Sequence, residues 1–153
     1  MSQRKMAIIV AKGGLDEIYP GFILASGARQ SDMSAMMFFT FYGLNAITED
    51  KVDHLHVNLA GNAANPIPTM LAGLPGMEAL AARMMGKKMA KLDIPGPREM
   101  LKTLDESGVD IYACKLAMEM FGLEKKDLIP QVRDVITVGD FYDLSDDARI
   151  IYT

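Results

Sequence analysis

The sequence predicts an α/β layer structure built on about five mostly parallel strands, and three observations predict it. Short apolar runs of strand length recur at Met6–Val10, Met33–Phe41, Val109–Ala113, Val135–Val138 and Arg149–Tyr152. Segments with helical spacing stand between them, several of them closed by a glycine. The early runs are apolar at nearly every position instead of every second one, which marks strands covered on both faces.

Met6–Val10 lies between Lys5 and the Gly13-Gly14 pair, so the first strand ends in a tight turn. From Leu15 to Arg29, Ile18, Phe22, Ala25 and Ser26 recur at helical spacing, and Pro20 and Gly21 mark the first turn. The stretch MSAMMFFTFYGLNAI, residues 33–47, is shorter than the roughly 18 residues of a membrane-spanning helix and is broken by Gly43 and Asn45, so it reads as a buried strand. Strand, helix and strand in this order form right-handed parallel crossovers. Pro97–Ser107 is the next clear helix, stopped by Gly108, and it leads into Val109–Ala113. Lys115–Phe121, stopped by Gly122, follows as a helix, then the EKKD turn, the strand at Val135–Val138, the acidic GDFYDLSDDA as a helix, and Arg149–Tyr152 as a last strand.

Residues 65–96 stand outside this alternation as a helical insertion within one domain spanning 1–153. They are bounded by prolines, and the helix begins near Pro75, a residue suited to a first turn. At about 100° per residue, Ala81, Met85, Met89 and Leu92 share one stripe, while Arg83, Lys87 and Lys91 line up on the other side with Met77 and Met84 beside them. A solvated cationic face is the plain reading of such a row. The sharper reading is a docking face for a partner protein or a membrane surface, because methionines next to cations suit re-packable contacts.

A domain of 153 residues buries roughly two-thirds of the surface its unfolded chain exposes, enough for a real core. Its net charge of −4 argues against a general nucleic-acid binder. The apolar stretch before Lys12 is too short for a signal-peptide core, which predicts a cytoplasmic protein, with membrane association left to the basic helix. A single cysteine excludes an internal disulfide, and His54 and His56 beside it give no usual zinc spacing. In VDHLHVNLAG the two histidines alternate as on one face of a strand, with a structural or surface role as the plain expectation. Gly13-Gly14 does not complete a dinucleotide or P-loop fingerprint, so no cofactor is called for and a tight turn is the better reading.

Cys114 falls at the junction of the third run and the following helix. If that run is a strand, the thiol sits at its carboxyl end and at the N-cap, the edge where open α/β sheets hold ligands. Backbone amides and Lys115 there would favour a thiolate. From spacing alone an inert core thiol is the plain reading of a lone cysteine, with the reactive thiolate open beside it. The absence of C-x-x-C excludes dithiol exchange within the chain, and KLAMEMFG after the cysteine lacks the arginine of a rhodanese loop.

KMAIIVAKGGLDEIYPGFILASGA, MMFFTFYGLNAI, the GMEALAARMMGKKM insertion and VDIYACKLAMEMFGL, in this order, resemble the DsrE/DsrF family, in the branch with an FFTF strand and a methionine-rich insert. The most specific part is FFTFYGLNAI together with C-x-x-x-M-x-x-x-G-L, Cys114 to Leu123. The resemblance implies a flavodoxin-like three-layer fold and a role in sulfur relay, in which Cys114 carries sulfur as a persulfide or thiosulfonate and passes it to a partner thiol. It also implies sulfur donor and acceptor proteins as partners and a homo-oligomer, for which a trimer or a multiple of it is expected. Two rivals stand beside it: a flavin- or nucleotide-binding module at the strand edge, and a non-catalytic assembly or membrane-docking subunit.

Overall fold

The structure is a computed structural model that describes residues 3–153. Five strands, β1 (Lys5–Val10), β2 (Ser34–Phe39), β3 (Val109–Cys114), β4 (Val132–Ile136) and β5 (Arg149–Tyr152), form one sheet in the order β4-β3-β2-β1-β5. Every pairing between neighbours is parallel. Helices cover both faces. The helix α1 (Leu15–Gln30) lies over Ile8, Val10 and Met37, which approach it at Gly21, and α4 (Pro97–Glu106) packs beside it. On the other face the short α6 (Val138–Leu144) stacks Phe141 on Phe38, with ring centroids 4.9 Å apart. The layers meet on fully buried Ile8, Ile18, Phe22, Met37, Phe39 and Ile111, and this burial of apolar surface is the main force assembling the sheet.

Local chemistry sets the ends of the elements. Pro97 occupies the first turn of α4, where its missing amide hydrogen costs nothing. Gly108 and Gly122 adopt positive φ where α4 and α5 (Lys115–Met120) give way to the chain beyond. Pro20 is carried inside α1 on its exposed side.

Three elements depart from the sequence expectation. The Met33–Phe41 strand ends at Phe39, and residues Phe41–Ile47 turn into a 3-10 helix. Here the chain crosses the end of β1, and Thr40 donates its amide to the Val10 carbonyl at 3.0 Å. The Val135–Val138 strand is expected three residues too late at its start and two at its end. Thr137 and Asp140 form a reciprocal capping box, which starts α6 at Val138, and β4 occupies Val132–Ile136 instead. The alternation at His54–His56 exists, with Leu55 and Val57 buried and both histidines exposed, yet the segment pairs with no strand. Arg98 ties it to α4 through Asp53 and Glu49, each at 2.8 Å. The guanidinium hydrogen bonds hold the Asp53 carboxyl below its ordinary range.

The segment between β2 and β3 carries a short α2 (Thr69–Ala72) and the 15-residue α3 (Met77–Lys91). Ala81, Ala82 and Met85 lean on the core, but α3 has no fully buried residue. Leu92 leaves the expected stripe: it caps the helix and is 72% exposed, because the chain turns at Asp93 in the left-handed region. No helix among the described residues is long and apolar enough to cross a membrane.

Candidate functional site

Cys114 is the last residue of β3 and the N-cap residue of α5. Its position follows from two local signals: the buried run VDIYAC ends there, and Gly122 allows α5 to be only six residues long. Ile136 of β4 is its register partner. Alternation along β3 gives Cys114 the same face as Tyr112, the one covered by α6. The thiol is free and buried, with a relative exposure of 5%. A reagent must therefore shift what surrounds it.

The helix that starts at Cys114 carries apolar side chains that are, unusually, exposed. Leu116, Met120 and Phe121 of α5 and its cap face solvent, as do Phe41 and Tyr42 of the 3-10 segment that packs on α5. Phe121 stands edge-on to Phe41 at 6.4 Å and meets Tyr42 at 5.9 Å, separations within the favourable range for aromatic pairs. Phe41 also has φ of 47°, a strained conformation for a bulky residue. Gly43 allows it: a methyl there would come within 2.0 Å of the Val10 carbonyl oxygen, so the segment lies directly on the end of β1. This aromatic rim was not legible as part of the site. Its one local signal is the aromatic pair Phe41-Tyr42 directly before a glycine.

Lys115 is exposed, and its charge is felt at Asp140 across the ends of β3 and β4. The Asp140 carboxyl is held below its ordinary range first by the Thr137 backbone amide, then by the Thr137 hydroxyl, with Lys115 adding the attraction of its ammonium. Arg83, Lys87 and Lys91 of α3 are exposed, as is Met84, while Met77 is half-buried. Arg83 borders a groove beneath α3, between that helix and Val52, Leu55 and Pro97. Arg83 thus stands beside the starts of α1 and α4, where Leu15 and Pro97 line the same groove.

A second concavity, of about 630 Å³, opens at the carboxyl end of β1 and is lined by Lys12, Gly13, His54 and His56. The two histidines face this cleft and not the end of β3, with β2 between. No third ligand-type side chain completes a metal site with them among the described residues. Replacing both with alanine is expected to leave the alkylation rate of Cys114 nearly unchanged, measured with a small iodoacetamide-type reagent on folded protein. A large loss would reveal a missing general base. The glycine turn is also unsuited to phosphate, since the Gly14 amide donates to the Glu17 carboxylate at 3.0 Å.

Comparison with known proteins is consistent across sequence and fold. The DsrE/DsrF/DrsH-like family matches residues 2–151. Over 140 residues the chain is 35% identical to the sulfur carrier protein DsrE2 of Allochromatium vinosum, covering 86% of this chain and 87% of that protein. It is 24% identical over 137 residues to the uncharacterized protein YrkE of Bacillus subtilis, covering 84% of each. The crystal structure of ychN from E. coli matches with a TM-score of 0.59 at 15% identity, over 99% of this chain and 100% of that one. Protein MTH1491 of Methanobacterium thermoautotrophicum matches with a TM-score of 0.54 at 14% identity over the same shares. These two bear on the fold alone. With a parallel five-stranded sheet, a family match over nearly its whole length and a relative more than one-third identical, the chain belongs to the DsrE/DsrF/DrsH-like family.

Proposed function

We propose that the protein is a sulfur carrier that holds sulfur on Cys114 and delivers it to a partner thiol. One observation carries the reading: the only cysteine of a chain similar to a protein named a sulfur carrier lies at the carboxyl edge of a parallel sheet. In the loading step the Cys114 thiolate attacks the sulfane sulfur of a donor persulfide. An Sγ–S bond forms, the donor's S–S bond breaks, and the donor thiolate leaves. Loading from tetrathionate gives a thiosulfonate on Cys114 and releases thiosulfate. In delivery the acceptor's thiolate takes the outer sulfur, and the Cys114 thiolate is the leaving group. No net oxidation occurs, so one cysteine suffices. Lys115 is an auxiliary positive charge beside the loaded, anionic group. The test is intact mass after incubation with polysulfide, thiosulfate or tetrathionate. An adduct that a reductant removes is expected, and its absence with every donor refutes the reading.

The wider reading is one domain in which α2 and α3 are an insertion that docks the exchange partner, in a cytoplasmic homo-oligomer based on a trimer. Sedimentation velocity at micromolar concentration tests the last point, and a monomer refutes it. Support for docking comes from the exposed Arg83, Lys87 and Lys91, with exposed Leu80 and Met84 on the same helix. Reversing the three charges to glutamate is expected to slow transfer to a partner by about tenfold at low salt, while alkylation of Cys114 stays the same. Contacts of this kind weaken as screening shortens to about 8–10 Å at 0.1–0.15 M salt. Flotation with anionic vesicles separates a membrane reader from an acidic protein. No change in transfer or flotation would mean that the row is only solvated.

A further inference from the structure

We infer that the cleft at the carboxyl end of β1 binds a small zwitterion of the amino-acid or short-peptide class, with Lys12 and Lys51 available to its carboxylate and Asp50 and Glu78 to its ammonium. The cleft is open to solvent and offers about 630 Å³, within the volume range of sites for small organic molecules. Its floor is backbone held in place. A methyl on Gly13 would lie 2.2 Å from the Tyr42 carbonyl oxygen, so the turn and the 3-10 segment are in direct contact.

The charges decide the class of ligand. The amide at the start of α1 is already taken by Glu17, whose other oxygen accepts from the Asn58 side chain at 3.3 Å. A phosphate or other compact dianion placed there would meet a carboxylate. That geometry removes the nucleotide reading from this turn. Among the described residues, Lys12, Lys51, Asp50 and Glu78 make no ion pair or side-chain hydrogen bond, although all four line the same cleft. Acids and bases that share a cleft without closing on each other leave room between them for a molecule that carries both signs. Its carboxylate meets the ammonium groups, its ammonium meets the carboxylates, and each contact is a charge-assisted hydrogen bond. His54, His56 and Asn45 supply further ring and amide groups on the wall.

Glu78 adds a mechanical consequence, because it belongs to the first turn of α3, a helix with no fully buried residue. A ligand bridging Lys12 and Glu78 fastens α3 to the body of the protein. The four charges of the cleft act without Cys114, and only the choice of a thiol-bearing probe rests on the sulfur-carrier reading. Glutathione is such a probe, and S-methylglutathione is its unreactive form.

The experiment uses the full chain carrying Cys114→Ser, which prevents covalent exchange. Calorimetric titration with either peptide is expected to show saturable binding. Lys12→Ala and Glu78→Gln should each weaken it by about tenfold, the effect of one charge-assisted contact. Thiosulfate, which has no cationic group, should not compete. Hydrogen exchange in residues 77–91 should slow on binding. No saturable binding of either peptide, binding unaffected by both substitutions, or equal competition by thiosulfate overturns the inference. Loading of sulfur on Cys114 in the Lys12→Ala chain should match wild type, so failure of the cleft and failure of the carrier reading give different results.

Discussion

Cys114→Ser is expected to abolish every sulfur adduct, from polysulfide, thiosulfate and tetrathionate alike, while the protein remains folded. The effect is all-or-none because the chain contains no other cysteine to take over, and a serine hydroxyl does not form a stable bond to sulfane sulfur. The fold should survive, since the serine fills nearly the same volume at the end of β3. Burying a hydroxyl in place of a thiol without a new partner costs about 1–3 kcal/mol. Cys114→Ala avoids that hydroxyl and serves as the second variant. Intact mass spectrometry reads the adduct, and thermal denaturation reads the fold. An adduct that persists in both folded variants would place the chemistry elsewhere.

The largest effect on stability is expected from Gly43→Ala. The added methyl would lie 2.0 Å from the Val10 carbonyl oxygen and 2.8 Å from its carbon. Both atoms are backbone in the centre of the sheet edge, so no side chain can swing aside. Either the 3-10 segment lifts off β1 or β1 distorts, and we expect a loss of about 3 kcal/mol or more. Gly27→Ala is the contrasting control. It sits on the exposed side of α1 with nothing within 4 Å, and alanine there should stabilise the helix by about 0.5–1 kcal/mol. Urea denaturation of both variants checks the pair. If Gly43→Ala also changes the alkylation rate of Cys114 under native conditions, the aromatic rim controls access to the thiol, because Phe41 and Tyr42 move with the segment.

Much of the candidate site was legible locally. A strand end followed directly by a helix start located Cys114 at the edge of the sheet, and the structure has both elements within one residue of expectation. The basic row on α3 was equally legible, since exposed charges at helical spacing need no tertiary partner. The aromatic rim was not. Phe41, Tyr42 and Phe121 are brought together only when the chain after β2 folds across β1 and meets the end of α5. The cleft was hidden for the same reason: Lys12, Lys51 and Glu78 come from three separate segments.

By itself, the sequence determined the class of the fold, the strands at Met6–Val10 and Val109–Ala113 to within one residue, the helix stops at Gly108 and Gly122, and the placement of a single thiol at a strand–helix junction. These rest on periodicity, capping and backbone freedom, which act over a few residues. Tertiary structure decided that the 33–47 run breaks after Phe39 and that the alternating histidines join no strand, the His56 carbonyl accepting the Leu15 amide instead. It also decided the return of β5 to the side of β1, 139 residues after that strand ends (Val10 to Arg149). The physical reason is that strand pairing and loop crossing are settled by contacts between distant segments competing for the same buried surface, and no local pattern records which of them wins.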